Sequence, residues 1–107
     1  MTISATLILG VDGGQTSTKC VLMDADGRVL GHGHGIGLIH LAAEGGPERM
    51  RQALRGCISS AFADAGIEAR PLEAIGLGLS GITSATAPEA ETVRKLVAET
   101  FAPRVVV

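Results

Sequence analysis

Aromatic residues are almost absent from this sequence, which has no Trp, no Tyr and only two Phe among its 107 residues. A hydrophobic core must therefore be built from Leu, Ile, Val and Ala, and few side chains could stack on nucleic-acid bases. The sequence also has no basic run, and its formal net charge is −2. Nucleic-acid binding through a patch that follows the phosphate backbone is therefore not expected.

Long hydrophobic runs and cysteine are scarce as well. No apolar run is long enough to cross a bilayer, and residues 1–9 lack the basic flank and long apolar core of a signal peptide. The only cysteines, Cys20 and Cys57, have no metal-ligand spacing, which predicts two buried free thiols in a reducing compartment. We therefore expect a cytoplasmic protein that makes no membrane contact.

Glycine, by contrast, is abundant at 15 residues, and apolar residues make up 46% of the chain. The glycines cluster at 10–14, 31–37, 45–46 and 76–81, which favours turns and close backbone approaches over a flexible linker. A chain of 107 residues suits one domain with one modest core.

Hydrophobic periodicity and turn residues predict the order βββαβαβ. The predicted strands are 5–11, 18–24, 28–35, 74–79 and 104–107, and the predicted helices are 47–65 and a second one opened by a capping box at 86–89 and stopped by Pro103. Hairpins imply antiparallel pairing and strand–helix–strand crossovers imply parallel pairing, so the sheet should be mixed. This α/β order is that of an RNase H-like unit, which nucleases, actin-like ATPases and sugar kinases share.

The helix at 47–65 is predicted to pack on the sheet through one apolar stripe and to expose a charged face. The stripe comprises Met50, Leu54, Cys57, Ile58, Ala61, Phe62 and Ala65. The solvated face is predicted to contain Glu48, Arg49, Arg51 and Arg55.

The residues that indicate chemistry follow the first strand, in the run GVDGGQTSTK at 10–19. A carboxylate at a strand end, Asp12, can hold magnesium through the water shell that this ion retains. Gly13 and Gly14 have no Cβ, so the turn can take positive φ and its amides can approach phosphate oxygens. The hydroxyls of Thr16 and of Ser17 or Thr18 can add donors, and Lys19 can add a positive charge.

A purely structural alternative exists for each of these residues. In that alternative, the Asp and Gly residues form an ordinary hairpin turn and have no further role, and Lys19 is a solvated strand lysine. His32 and His34 share one face of a strand, but a metal site there lacks a third ligand at fixed spacing, so exposed histidines are the favoured interpretation.

The run GVDGGQTSTKCVLMDADGRVLG at 10–31 resembles the first phosphate motif of the BadF/BadG/BcrA/BcrD-type ATPases, the actin-like branch that includes N-acetylglucosamine kinases. The similarity continues through the helix at 47–65 and through IGLGLSG at 75–81. The resemblance implies that residues 12–16, with Ser17 and Lys19, bind ATP and Mg²⁺. It also implies that Ser80 and Gly81 lie near the sugar.

The resemblance extends to His40, which matches the His of an Asn-His pair in N-acetylglucosamine kinases, where the Asn meets the sugar. Here Ile39 stands where those kinases have Asn, so the acceptor stays open between N-acetylglucosamine and glucosamine. Family members are several hundred residues long and close two lobes on the nucleotide. We therefore expect residues 1–107 to form the N-terminal phosphate-binding subdomain, with the catalytic base, the second phosphate motif and the adenosine site in the remainder of the chain.

Two other functions stay open. Relatives that activate an acyl-CoA reductase or dehydratase share the first motif but hold an iron–sulfur cluster with cysteines, whereas Cys20 and Cys57 are predicted to lie in a strand and on an apolar helix face. An RNase H-type nuclease would need further carboxylates converging on Asp12. The subdomain alone is expected to bind nucleotide weakly, to transfer no phosphate, and to self-associate through an exposed apolar face.

Overall fold

The computed structural model describes residues 6–39, 41, 43–79 and 88–107. Its elements are β1 (Leu7–Gly13), β2 (Ser17–Asp24), β3 (Val29–Ile36), α1 (Gly46–Ala65), β4 (Ala74–Leu79), α2 (Pro88–Thr100) and β5 (Arg104–Val106). This is the predicted order βββαβαβ. The capping box predicted at 86–89 falls partly outside the described residues, and α2 begins at Pro88.

The five strands form one mixed sheet in the order β3-β2-β1-β4-β5. β1 pairs antiparallel with β2, which pairs antiparallel with β3, whereas β4 runs parallel to both β1 and β5. β1 is therefore the central strand, and both hairpin pairing and a crossover converge on it. The α/β class and the mixed sheet are confirmed. β1 continues two residues beyond its predicted end because Asp12 and Gly13 still pair on both sides.

The core lies on the face of the sheet that contacts α1 and α2. Alternate residues of the strands point into it, including Leu7, Leu9, Leu22, Ile75 and Val105. The predicted stripe of α1 is confirmed, since all of its members are buried or half-buried. Burial of these aliphatic side chains is the main stabilising contribution that a chain with so few aromatic residues can offer.

Glycines in β3 let α1 approach the sheet closely. A Cβ added at Gly33 would lie 2.1 Å from the carbonyl oxygen of Cys57, so only glycine fits beneath the helix. Side chains of α1 also reach the outer edge of this strand: the backbone N–H of His32 donates to Asp64 (2.8 Å) and that of His34 donates to Ser60 (3.2 Å). These bonds satisfy edge donors that could otherwise pair with another chain.

Candidate functional site

The candidate site lies where β1 ends and the chain turns into β2, at residues 13–17, here called the first turn. Asp12 is exposed, and it lies on the sheet face that the described helices leave uncovered. Lys19 of β2 lies directly across from it, and His34 of β3 lies directly across from Lys19. The three exposed side chains therefore form one transverse row of an acid, a base and an imidazole on the open face.

The first turn is closed by a hydrogen bond from the N–H of Gly14 to the carbonyl of Ser17 (3.0 Å). Gln15 and Thr16 are exposed at its tip, and within the described residues no hydrogen bond occupies their amides. The two tip amides, rather than that of Gly14, are therefore the donors that an anion could reach. The amide of Gly14 is not among the turn amides that could approach phosphate, because the turn itself uses it.

The positive φ that glycine permits is not used at Gly13 or Gly14. Among the described residues, positive φ occurs only at Gly27, Gly45 and Gly66. Gly13 is needed for a different reason: it is buried, and an added Cβ would lie 2.6 Å from Leu79 and 2.7 Å from Leu38. The absence of a side chain lets leucines from two other segments pack under the turn.

A segment following β3 supports the first turn from beneath. The N–H of Leu38 donates to the carbonyl of Gly14 (2.9 Å), and a Cβ at Gly37 would lie 2.1 Å from the carbonyl oxygen of Gln15. Arg49 of α1 in turn donates from Nε to the carbonyl of Gly37 (2.7 Å). Arg49 is thus half-buried and engaged, which corrects its assignment to the solvated face of the helix.

The Thr18 hydroxyl is not available at the turn. Thr18 is 1% exposed, and its Oγ1 donates to the carbonyl of Ile36 (2.8 Å), so it ties β2 to the end of β3. This corrects the suggestion that it could bind phosphate and leaves the hydroxyls of Thr16 and Ser17. Thr16 is exposed and Ser17 is half-buried.

A shallow depression of about 500 Å³ lies on the open face beside Asp12. Its floor includes Gly10 and Gly76, where an added Cβ would meet no atom within 4 Å, and its rim includes Val21, His32 and His34. The two histidines share this exposed face as predicted. No group of three potential metal ligands occurs in the described part of the chain.

The predicted sugar-side residues His40, Ser80 and Gly81 lie outside the described residues. None of the described helices is long and apolar enough to span a membrane.

Cys20 and Cys57 are buried free thiols, as predicted, but the fold brings them together although they are distant in sequence. The Cys20 thiol donates to the carbonyl of Cys57 (3.3 Å), and the Cys57 thiol donates to the carbonyl of Thr18 (3.5 Å). Hydrogen bonding between the two side chains, reinforced by burial, raises the pKa of Cys57 well above its ordinary value. Both thiols are therefore engaged inside the core rather than presented to a cofactor.

The mixed five-stranded sheet with its helices has the fold of the actin-like ATPases and sugar kinases. The model of the BadF/BadG/BcrA/BcrD ATPase family matches residues 9–102. The chain therefore belongs to this family.

Among solved structures, the chain is similar to a Chromobacterium violaceum protein provisionally named an N-acetylglucosamine kinase, with 32% identity and a TM-score of 0.69. This match covers 94% of the chain but 34% of that protein, so the chain spans about a third of its length. A further likeness is to component A of (R)-2-hydroxyglutaryl-CoA dehydratase from Acidaminococcus fermentans, with 14% identity, a TM-score of 0.49, and coverage of 95% of this chain and 30% of that one. No curated protein matches the sequence significantly.

Proposed function

We propose that the first turn binds the phosphates of ATP together with Mg²⁺, and that the chain is the N-terminal subdomain of a two-lobed, sugar kinase-like phosphotransferase. The observation that carries this proposal is the position of Asp12. Its carboxylate is exposed at the end of the central strand, beside the exposed tip of the turn, and accepts no hydrogen bond from any described residue. A carboxylate that plays no part in closing its own turn is available to an ion.

The residues present suit magnesium better than a metal that needs a closed protein cage. Mg²⁺ retains several waters and is held by one or two carboxylates together with substrate phosphates, and Asp12 supplies one such carboxylate. Bound there, the ion would neutralise phosphate charge. Around it, Gly13 and Gly14 shape the turn, Gln15 and Thr16 offer amides, Ser17 offers a hydroxyl and Lys19 offers a positive charge on the same face as Asp12.

For the phosphoryl acceptor, we propose an amino sugar of the N-acetylglucosamine or glucosamine class, contacted by His40, Ser80 and Gly81. The 32% identity to a protein named for N-acetylglucosamine kinase activity supports this class. Ile39, in place of the expected Asn, is exposed and cannot hydrogen-bond a sugar amide through its side chain. The catalytic base is assigned to the remainder of a longer, cytoplasmic protein, whose contacts would cover the open face of the sheet.

The alternative within the family is an ATPase that activates an acyl-CoA reductase or dehydratase. The family is described as a family of ATPases, which is consistent with this alternative. Such an activator holds its iron–sulfur cluster with cysteines, but both cysteines of this chain are buried and donate to backbone carbonyls. In the full-length protein, ADP release that requires the sugar would support the kinase. ATP hydrolysis that ignores the sugar would support the activator.

A nuclease is disfavoured by the neighbours of Asp12 in the sheet. The residues directly across from it are Lys19 on β2 and Gly78 on β4. A two-metal nuclease needs further carboxylates converging on the first, and neither flanking position supplies one.

The proposal is tested by titrating Mg²⁺·ATP into the chain and following backbone amide shifts by NMR. We expect weak binding with shifts centred on residues 12–19, and we expect Asp12→Ala to abolish them. Asp26→Ala is the matched control, because Asp26 is an equally exposed acid in the other hairpin turn. Shifts centred elsewhere, or shifts that survive Asp12→Ala, would refute nucleotide binding at this turn.

A second experiment tests the proposal that this subdomain is incomplete as a catalyst. Phosphoryl transfer depends on positioned groups around a γ-phosphate from which water is excluded, and closure of lobes normally provides that environment. A coupled assay with ATP and glucosamine or N-acetylglucosamine should therefore show no sugar-dependent ADP release from residues 1–107. Release that disappears in Asp12→Ala would show that the subdomain suffices.

A further inference from the structure

Arg49 is the arginine of α1 that points back toward the candidate site. It lies in the first turn of the helix, and its Nε donates to the carbonyl of Gly37 at 2.7 Å. Arg51 and Arg55, on the same helix, instead form ion pairs with Glu48. Among the described residues the Arg49 side chain has no acidic partner, and it donates instead to the backbone of the segment after β3.

Gly37 transmits this contact directly to the first turn. Its backbone packs against that of Gln15 so closely that a Cβ would lie 2.1 Å from the Gln15 carbonyl oxygen. The next residue, Leu38, donates its N–H to Gly14 at 2.9 Å and places its side chain against Gly13. One hydrogen bond from Arg49 therefore holds a segment that touches the first turn at three consecutive residues.

We infer that Arg49 is a positioning residue for the anion-binding tip of the first turn, acting through Gly37 and Leu38 rather than by touching the nucleotide. This inference rests on the proposed binding of nucleotide at that turn. The tip itself, at Gln15 and Thr16, is exposed, and its amides have no partner among the described residues. A loop that must present free amides to phosphate binds more tightly when neighbouring structure fixes it beforehand, because less ordering is left to occur on binding.

Arginine suits this position because its Nε–H can donate to the Gly37 carbonyl while the whole guanidinium keeps its positive charge. Lysine at the same position retains a donor and the charge, whereas glutamine retains a donor alone. The two substitutions therefore separate support of the turn from a direct electrostatic effect on the nucleotide.

The experiment combines amide hydrogen exchange without nucleotide with an Mg²⁺·ATP titration, both by NMR, on the native chain, Arg49→Ala, Arg49→Lys and Arg49→Gln. The matched control is Arg51→Ala, which removes an arginine of the same helix that contacts Glu48. Dispersed amide signals from β4 and β5 check that each variant is folded. We expect Arg49→Ala to speed exchange of the Leu38 amide by roughly fivefold and to weaken ATP binding by a similar factor, as expected for loss of one hydrogen bond.

Partial recovery of both quantities in Arg49→Lys, with Arg51→Ala unchanged, would support the inference. Unchanged Leu38 exchange in Arg49→Ala would overturn it, and so would faster exchange with unaltered ATP binding. Loss of ATP binding in Arg49→Gln with native Leu38 exchange would also overturn it, since the charge alone would then be acting. Failure of the native chain to bind ATP at residues 12–19 would remove the proposed function together with the positioning role, which distinguishes it from the other failures.

Discussion

Each of the two hairpin turns of the sheet has an aspartate near the end of the preceding strand and a glycine close to it, but the two turns use these residues differently. In the second turn, residues 24–28, Asp24 is fully buried and its Oδ1 accepts the amides of Asp26 and Arg28, both at 3.0 Å. Gly27 takes a left-handed conformation with φ of 84°. Beside the first turn, Asp12 is exposed and accepts no hydrogen bond from any described residue, and no residue of that turn has positive φ.

This difference shows which turn is purely structural and which turn leaves its carboxylate available to a ligand. The ordinary structural turn, in which the carboxylate caps amides and the glycine relieves backbone strain, describes the second turn. It does not describe the first turn, where the Asp12 carboxylate accepts no amide of the turn and Gly13 makes room for leucine side chains. Acid and glycine near a strand end are therefore informative about a ligand only when the acid is not needed by its own turn.

The largest expected effect is on stability at the second turn. Asp24→Ala removes a buried acceptor of two amides and should lower the free energy of unfolding by about 2–3 kcal/mol. Asp12→Ala, which removes an exposed carboxylate, should change it by less than about 0.5 kcal/mol. Urea denaturation followed by circular dichroism measures both. Equal losses would mean that Asp12 also serves its own turn, and the contrast between the two turns would fail.

The glycines should show a smaller contrast of the same sign. Gly27→Ala places a side chain at φ of 84° and should cost about 1–2 kcal/mol, although its Cβ would meet no atom within 4 Å. Gly14→Ala needs no left-handed backbone, but its Cβ would lie 3.2 Å from the Ser17 carbonyl, which must shift slightly, so its cost should stay below about 1 kcal/mol. The same denaturation measurement applies. A greater cost at Gly14 would contradict the backbone assigned to the first turn.

Replacing magnesium by a trace of paramagnetic Mn²⁺ should distinguish the turns without altering stability. With ATP present, the ion should broaden the amide signals of residues 12–19 and leave those of residues 24–28 sharp. The reason is that Asp12 lies beside amides with no partner among the described residues, whereas the amides beside the exposed Asp26 are already hydrogen-bonded within the second turn. Asp12→Ala should remove the broadening. Broadening that is equal at both turns would indicate non-specific association of the ion with surface acids.

The smallest expected effect concerns Lys19. It lies directly across from Asp12, so Lys19→Ala should weaken Mg²⁺·ATP binding by roughly twofold to threefold, as for other exposed charges. Lys95→Ala on α2 is the matched control, since Lys95 is also exposed but belongs to a helix on the covered face of the sheet. Equal behaviour of the two variants in the NMR titration would identify Lys19 as an ordinary solvated lysine.

Much of the fold was predictable because it depends on short-range patterns. The apolar period of α1, the alternation in β4 and the turn residues at 24–27 all act over a few neighbouring positions, and each predicted an element that the structure contains. Strand ends were less predictable: whether Asp12 and Gly13 belong to β1 depends on pairing with β2 and β4, which are distant in sequence.

At the candidate site, the sequence indicated the residue types of the first turn but not their partners. The engagement of Arg49 with Gly37, of Thr18 with Ile36 and of the two cysteines with each other's strand or helix was missed. These contacts join segments separated by 12 to 39 positions, and no local pattern marks them. The sequence offered one indirect clue, the many glycines of 31–37, which predicted close backbone approach without naming the neighbour.

The sequence by itself determined the class of fold and the location of the candidate site, because helix and strand periods and turn chemistry are properties of adjacent residues. Only the tertiary structure decided which carboxylate stays free. Asp12 and Asp24 both stand at strand ends beside turns that contain glycine. Strand pairing leaves Asp12 on the open face of the sheet. It buries Asp24 at the end of the second hairpin, where the carboxylate accepts two backbone amides. Burial and hydrogen-bond satisfaction depend on packing between distant segments, so they are fixed only when the sheet and α1 assemble.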